Sequence, residues 1–148
     1  MISEIEIQRF GENLLLIRQA VGWSAEEFGE RVGLTRQTIN SLENGKYKLT
    51  KIQYIAMRSI LDDEMEKYPD ETSMLNVVLQ AFVDTPEKYS DEARDNIKSK
   101  VGLFAPAIIK DHSKRKEASK EWLNILTALG ILATGGILAI VIGLWRKK

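Results

Sequence analysis

The chain has 148 residues, and its 21 basic and 21 acidic side chains leave no formal net charge. This length allows one domain, or one small domain with appended segments. With no cysteine and one histidine, the sequence offers no disulfide and no group of residues spaced as metal ligands. It also lacks a nucleophile motif and a phosphate-binding glycine loop. We therefore expect no enzyme activity, no cofactor and no metal, and we expect His112 to be a solvated side chain.

Residues 2–21 are predicted to form the first helix of an all-α fold. Apolar side chains recur there at helical spacing and should pack beneath the segment that follows: Phe10, Leu14, Ile17 and Val21. Leu15 and Leu16 widen this apolar stripe. Three isoleucines near the N-terminus could extend the helix, cover the core or contact a partner: Ile2, Ile5 and Ile7.

Residues 24–45 are predicted to form two short helices joined by a tight turn. Ser24 is placed to cap the first helix, and Glu27 three residues later completes a capping box. Gly33 supplies the turn, because glycine adopts a positive φ at little cost. Thr35 then caps the second helix. The Asn44-Gly45 pair ends it.

The spacing of the apolar residues in this segment predicts which face of each helix is buried. The side chains expected to face the core are Phe28, Val32, Leu34, Ile39 and Leu42. Gly29 lowers the surface of the first helix where a second element must cross closely. The second helix keeps polar side chains on its outer face, and these can hydrogen-bond base edges or phosphates: Arg36, Gln37, Asn40 and Ser41.

This segment resembles the DNA-binding domain of phage repressors and Cro, the XRE-type helix-turn-helix family. The likeness runs from about residue 10 to residue 61 and includes the tail LENGK at residues 42–46. It implies that Arg36, Gln37 and Ser41 face DNA bases. It also implies that the loop containing Asn44, Lys46 and Lys48 lies on the phosphate backbone.

Two further implications of the resemblance concern the framework of the motif. Family members pair an arginine of the preceding helix with the glutamate of the tail, which here would be Arg18 with Glu43. Many relatives also carry a phosphate-binding glutamine at the start of the first motif helix. This chain has Ala25 there, which departs from the pattern and removes one expected phosphate contact.

The helix after the motif is predicted to close the small core. Thr50 and Gln53 form a second capping box, and Lys51 adds charge to the basic loop. The inward face is expected to carry Ile52, Ile55, Ser59 and Ile60. Since Pro69 cannot continue a helix, this element should end before it, and residues 1–68 would form the helix-turn-helix domain.

Residues 69–121 are predicted to form a helical connector with a basic end. The first helix carries Leu75, Val78, Leu79 and Phe82 on one face, and Asp84-Thr85-Pro86 should break it. Ser90 caps the next helix, whose buried side is expected to carry Ile97, Val101 and Phe104, with Pro106 interrupting it. The sequence leaves open whether this connector docks on the motif domain or pairs two chains.

The composition then changes, because residues 123–144 contain no charged side chain. A helix of that length spans roughly 33 Å, enough for the hydrocarbon core of a membrane. Trp122 and Trp145 bracket it, so residues 122–145 are predicted to form one transmembrane helix, with the N-terminal domain on the cytoplasmic side of the cell membrane. A strip of small residues on this helix could mediate a homodimer: Gly135, Ala139 and Gly143.

The sequence favours a membrane-anchored, sequence-specific regulator that binds double-stranded DNA. The alternative is a membrane scaffold of the RodZ type, in which a related helix-turn-helix binds a cytoskeletal or other protein partner. A toxin–antitoxin component or signalling adaptor with a vestigial DNA site is a third possibility. The helix-turn-helix motif favours DNA binding, whereas a membrane anchor is better explained by the scaffold function.

Overall fold

The computed structural model describes residues 2–132, which are all-α and contain no strand. A π-helical turn at Gln80–Asp84 and two 3₁₀ turns, at Pro86–Lys88 and His112–Lys114, join the helices. The helices are α1 Glu4–Glu12, α2 Leu14–Val21, α3 Ala25–Val32, α4 Arg36–Glu43, α5 Lys51–Lys67, α6 Ser73–Leu79, α7 Asp91–Lys110 and α8 Arg115–Ala128.

The predicted first helix is divided into α1 and α2 at Asn13. The Asn13 side chain donates to the carbonyl of Arg9 at 2.8 Å, and its backbone sits at φ −111° and ψ 18°, outside the helical region. A short amide side chain competes with the helix for backbone partners, which accounts for the break. The core prediction is nevertheless confirmed, since all four of its residues are fully buried: Phe10, Leu14, Ile17 and Val21. Leu16 is buried as well, whereas Leu15 is exposed.

The turn between α3 and α4 forms as the sequence predicts. Ser24 Oγ accepts the Glu27 backbone N–H at 3.1 Å, but the carboxylate of Glu27 pairs with Arg31, so only half of the capping box forms. Gly33 adopts φ +78°. A Cβ on Gly29 would collide with the carbonyl oxygen of Leu34, so the close approach that glycine permits is to the turn itself.

The prediction for the inward face of α5 is wrong for Ile52, Ile55 and Ser59, which are exposed, whereas Ile60 is partly buried and packs on the core as predicted. Ile52 is 81% exposed and Ile55 is 45% exposed, whereas the buried side carries Tyr54, Met57 and Leu61. The ring of Tyr54 packs edge-on against Phe10 with centroids 5.0 Å apart, and this contact is possible only with Tyr54 turned inward. The capping box of Thr50 and Gln53 is complete, and α5 ends at Lys67, before Pro69, as expected.

The later helices pack on the helix-turn-helix segment and share its core. Every residue of α6 is buried, and α6 lies against α2, α7 and α8. Helix α7 also packs on α2. It continues through Pro106, contrary to prediction. A proline at this position cannot donate a hydrogen bond to the carbonyl of Gly102, and its ring lies close to that carbonyl. Since Gly102 and Pro106 are both exposed, water can hydrogen-bond the carbonyl, and the ring can be accommodated at the surface.

The start of the predicted transmembrane helix belongs to the protein core instead. Trp122 and Leu126 lie in α8 and are fully buried, α8 ends at Ala128, and Gly130 follows with φ +78°. An apolar segment without charges is compatible with both a protein interior and a lipid bilayer. The sequence therefore could not distinguish them, and this part of the prediction is wrong. Within residues 2–132, none of the helices has the length and apolar character needed to cross a membrane. The remainder, with Gly135, Ala139, Gly143 and Trp145, lies outside the described residues.

Candidate nucleic-acid interface

Helix α4 is held by a cap at each end and by two buried side chains beneath it. Thr35 Oγ1 accepts the backbone N–H of Thr38 at 3.1 Å. Ile39 and Leu42 are buried, and α4 packs against α3. At the other end, the backbone N–H of Lys46 bonds the carbonyl of Ser41 at 2.9 Å around a left-handed Gly45. This is a Schellman motif, which fixes where the helix stops and where the next loop leaves.

Three of the predicted DNA-contacting residues share one surface. Gln37, Ser41 and Lys46 line a shallow concavity on the outer side of α4. Gln37 and Lys46 are exposed and Ser41 is half-buried. Arg36 is exposed at the first residue of α4 but does not line this concavity. The structure therefore brings a glutamine, a hydroxyl and a lysine together, with the arginine beside them.

The loop after α4 presents the remaining predicted residues to solvent. Asn44, Lys46 and Lys48 are all exposed. Among the ion pairs of residues 2–132, none uses Arg36, Lys46 or Lys48. Their charges are therefore not neutralised by a carboxylate of the described chain, and they are available to a polyanion.

Tyr47 is part of this surface and was missed by the sequence reasoning about site residues. Tyr47 is 57% exposed, and the Lys46 ammonium lies 5.6 Å from the centroid of its ring. Tyr47 lines the concavity of α4 on one side and a second concavity, with Lys48 and Lys51, on the other. An aromatic residue between two lysines in a predicted loop was the signal that could have found it. The second concavity also contains Glu4 and Glu12, which limit the positive surface on that side.

The predicted ion pair that supports the motif is present and doubly hydrogen-bonded. Arg18 Nε lies 2.5 Å from Glu43 Oε2, and Arg18 Nη2 donates to Glu43 Oε1 at 3.1 Å. Arg18 Nη1 also donates to the carbonyl of Trp23 at 3.0 Å. Since the side chains are only 12% and 5% exposed, water screens this pair little. It ties the end of α4 to α2 and to the entry of α3.

His112, the only histidine, is exposed as expected but is not merely solvated. Its Nε2 lies 3.0 Å from Glu27 Oε1, so the turn before α8 contacts the first motif helix. No group of residues in the described part of the chain has the composition and proximity to hold a metal ion.

The comparison with known families agrees with this local geometry. A family model described as helix-turn-helix matches residues 14–62, about one third of the chain. No curated protein and no solved structure matches the chain. The match begins at α2 and ends within α5, so α1 and the helices from α6 onward lie outside it. Residues 14–62 are thus similar in sequence to a helix-turn-helix segment, and α3, the turn at Gly33 and α4 have that arrangement.

Proposed function

We propose that this protein is a sequence-specific DNA-binding transcriptional regulator. The observation that carries the proposal is the outer face of α4, where Gln37, Ser41 and Lys46 line one exposed concavity while Ile39 and Leu42 fix the helix from below. A helix held in this way can enter the major groove without rearranging, so little ordering entropy opposes binding.

The chemistry of the side chains suggests which residues recognise bases and which bind phosphates. Gln37 can bond both exposed edge atoms of an adenine, Ser41 can reach a neighbouring base, and Arg36 can bond a guanine or a phosphate. Lys46, Lys48 and Asn44 follow the helix on an exposed loop, where contacts with phosphates supply affinity that is independent of sequence. Ala25 offers no side-chain donor at the start of α3, so this loop carries more of the phosphate binding.

The test compares two substitutions in the full chain against a site selected from random DNA. Gln37→Ala should weaken the selected site by a factor of about 5 to 150, equivalent to ~1–3 kcal/mol, while leaving binding to random DNA almost unchanged. Lys46→Ala should weaken both kinds of DNA alike and reduce the slope of log affinity against log salt by about one. Fluorescence anisotropy at several salt concentrations measures both effects.

Lys98→Ala is the matched control, because Lys98 is an exposed lysine on α7, outside both concavities. It should change neither affinity nor salt slope. Failure of the unsubstituted protein to bind DNA at low salt would overturn the proposal. If Gln37→Ala reduced the affinity for selected and random DNA equally, Gln37 would not be a base-recognising residue.

Attachment to the cell membrane, with the N-terminal domain in the cytoplasm, is proposed on the sequence of the apolar C-terminal residues alone. The alternative function as a membrane scaffold is not favoured by any observation on residues 2–132. Fractionation in alkaline carbonate tests the attachment, since a spanning protein stays with the membrane and a peripheral one is released. Release would end both the membrane proposal and the pairing through Gly135, Ala139 and Gly143.

A further inference from the structure

The second concavity, between α1 and the loop that follows α4, is lined by charges of both signs. Glu4 and Glu12 are contributed by α1, whereas Lys48 comes from the loop and Lys51 is the first residue of α5. All four side chains are exposed. Within residues 2–132 none of them belongs to an ion pair, so the opposite charges do not reach one another. The concavity therefore offers both charges to a molecule placed inside it.

The rest of this concavity is mainly apolar. Leu42, at the end of α4, is buried, and Ile7 and Leu49 are partly buried and pack on the core. The ring of Tyr47 adds an exposed aromatic wall. The volume is about 670 Å³, and small-molecule sites commonly combine such a volume with an apolar lining and a few charged groups. Because the apolar residues belong to the core, this surface exists before a ligand binds.

The two kinds of charge select among the classes of small molecule. A phosphate or a nucleotide would be attracted by the lysines but repelled by Glu4 and Glu12. A polyamine would have the opposite difficulty, and an uncharged apolar molecule would gain nothing from either sign. A molecule with an ammonium group at one end, a carboxylate at the other and an apolar body between them uses the whole concavity. A short apolar peptide with free termini has this form, and three extended residues span ~10 Å.

We propose that the second concavity binds a short apolar peptide through its two free termini. The peptide ammonium pairs with Glu4 and Glu12, and Gln8 orients the second of these by donating to it at 2.7 Å. The peptide carboxylate pairs with Lys48 and Lys51. The N-terminal end of the α5 dipole favours the same carboxylate, while the apolar side chains of the peptide cover the floor of the concavity.

Two residues connect this site to the proposed DNA surface, and this step rests on the proposed function. Lys48 is one of the proposed phosphate contacts, and a peptide carboxylate bound to it neutralises the charge that a phosphate would use. Tyr47 lines both concavities, so a peptide against one side of its ring also restricts the other. Peptide and DNA therefore weaken each other's binding, by the same factor in both directions.

The first test titrates the full chain, in mild detergent, with the tripeptide leucyl-alanyl-leucine in a calorimeter, against a blank of detergent alone. The matched probes are the same tripeptide with its amino group acetylated and with its carboxylate amidated. The free tripeptide should bind, and each capped form should bind about fivefold more weakly or less well still, because each has lost one charged terminus. No binding of the free tripeptide at millimolar concentration, or equal binding of all three, overturns the proposal.

The second test assigns each terminus to its side of the concavity. Glu12→Gln should weaken the free tripeptide about two- to fivefold, as expected for exposed charges, but leave the acetylated form unchanged. Lys51→Gln should weaken the free tripeptide similarly but leave the amidated form unchanged. Glu117→Gln, at an exposed residue of α8, is the control and should change none of these affinities. If a folded variant lost affinity for free and capped peptides equally, its side chain would not contact the terminus, and the proposed pairing would be wrong.

The third test separates the peptide site from the proposed function. Saturating leucyl-alanyl-leucine should lower the affinity for selected and random DNA alike by about fivefold or more, measured by fluorescence anisotropy, whereas the acetylated form should have less effect at the same concentration. Unchanged DNA affinity with the tripeptide bound would exclude the coupling through Lys48 and Tyr47. Failure of the chain to bind DNA without peptide would overturn the proposed function alone, since calorimetry detects the peptide site in the absence of DNA.

Discussion

The helix-turn-helix segment and the helices that follow it are stabilised in different ways. Helices α2, α3 and α4 have eight residues each, and α3 and α4 begin with a side-chain cap and keep a polar face in water. Helix α6 has no side-chain cap, and every one of its residues is buried. Helices this short are marginal in isolation, so α6 depends on its packing against other helices. The first region can leave one surface free for a ligand because the second covers the opposite side.

A buried cationic centre joins the two regions. Arg115 at the start of α8 lies 2.7 Å from Glu64 and 3.1 Å from Glu71, and it donates to the carbonyl of Val21 at 3.2 Å. Its guanidinium also lies 5.5 Å from the ring centroid of Tyr68. One side chain therefore connects α8 to the end of α2, to α5 and to the residues before α6. The following predictions change one region or its junction and compare the response of the other.

The largest effect is expected at this junction. Arg115→Ala should lower the free energy of unfolding by ~3–5 kcal/mol, because the buried carboxylate of Glu64 would lose its nearer partner and keep only Arg31, at 4.0 Å. Urea unfolding, followed by circular dichroism, measures the loss. Lys116→Ala, an exposed neighbour on the same helix, should have almost no effect. Equal stability of the two variants would show that the regions do not depend on Arg115.

The next effect lies inside the helix-turn-helix segment. Gly29→Ala should cost ~1–3 kcal/mol, because the added Cβ must displace the backbone of the turn at Leu34. Since that turn places α4, the substitution should also weaken DNA binding if the proposed function is correct. Gly102→Ala is the control, since a Cβ there meets nothing within 4 Å. It lies within α7 and should be neutral or slightly stabilising.

A smaller loss is expected from a single hydrogen bond in the second region. Ser119 Oγ donates to the carbonyl of Glu71 at 2.7 Å and is fully buried. Ser119→Ala should therefore cost about 1 kcal/mol. The substitution lies far from α4 in the chain, so unfolding should change while affinity for DNA does not. A loss of affinity comparable to that of Gly29→Ala would mean that the second region also shapes the DNA surface.

The smallest effect appears only at alkaline pH. Burial and the Glu6 carboxylate raise the pKa of Tyr54 above its ordinary value of 10.0. Above that value the unfolded chain releases the phenol proton while the folded chain keeps it, so stability falls as the pH rises, by at most ~1.4 kcal/mol per pH unit. Tyr54→Phe should flatten this decline between pH 10 and 11. If the substitution left the slope of unfolding free energy against pH unchanged, Tyr54 would be less buried than the structure shows.

The sequence predicted best those features that depend on residues close together in the chain. The caps at Ser24, Thr35, Thr50 and Ser90 all form, because each needs only a hydroxyl and a backbone N–H three residues away. The buried and exposed sides of α4 were predicted for the same reason. Its apolar residues occupy one side, and nothing else in the helix competes with them.

Features that depend on distant contacts were predicted poorly. Helix α5 has apolar residues on two sides, and only the contact of Tyr54 with Phe10 shows which side is inside. The charge-free segment after Trp122 could not reveal that α6 and α7 bury its first part. The role of Arg115 could not be predicted either, because its partners Glu71 and Glu64 lie 44 and 51 residues earlier in the chain.

The complete burial of α6 limits how this protein could be recombined with others. Many regulators can be dissected, and their DNA-binding units grafted onto foreign sensor domains at a convenient proline or loop. Here a hybrid joined near Pro69 would lose α6, α7 and α8 and would expose the apolar side of α2 to water. A transplanted unit therefore needs α6, α7 and α8 in addition to the matched segment.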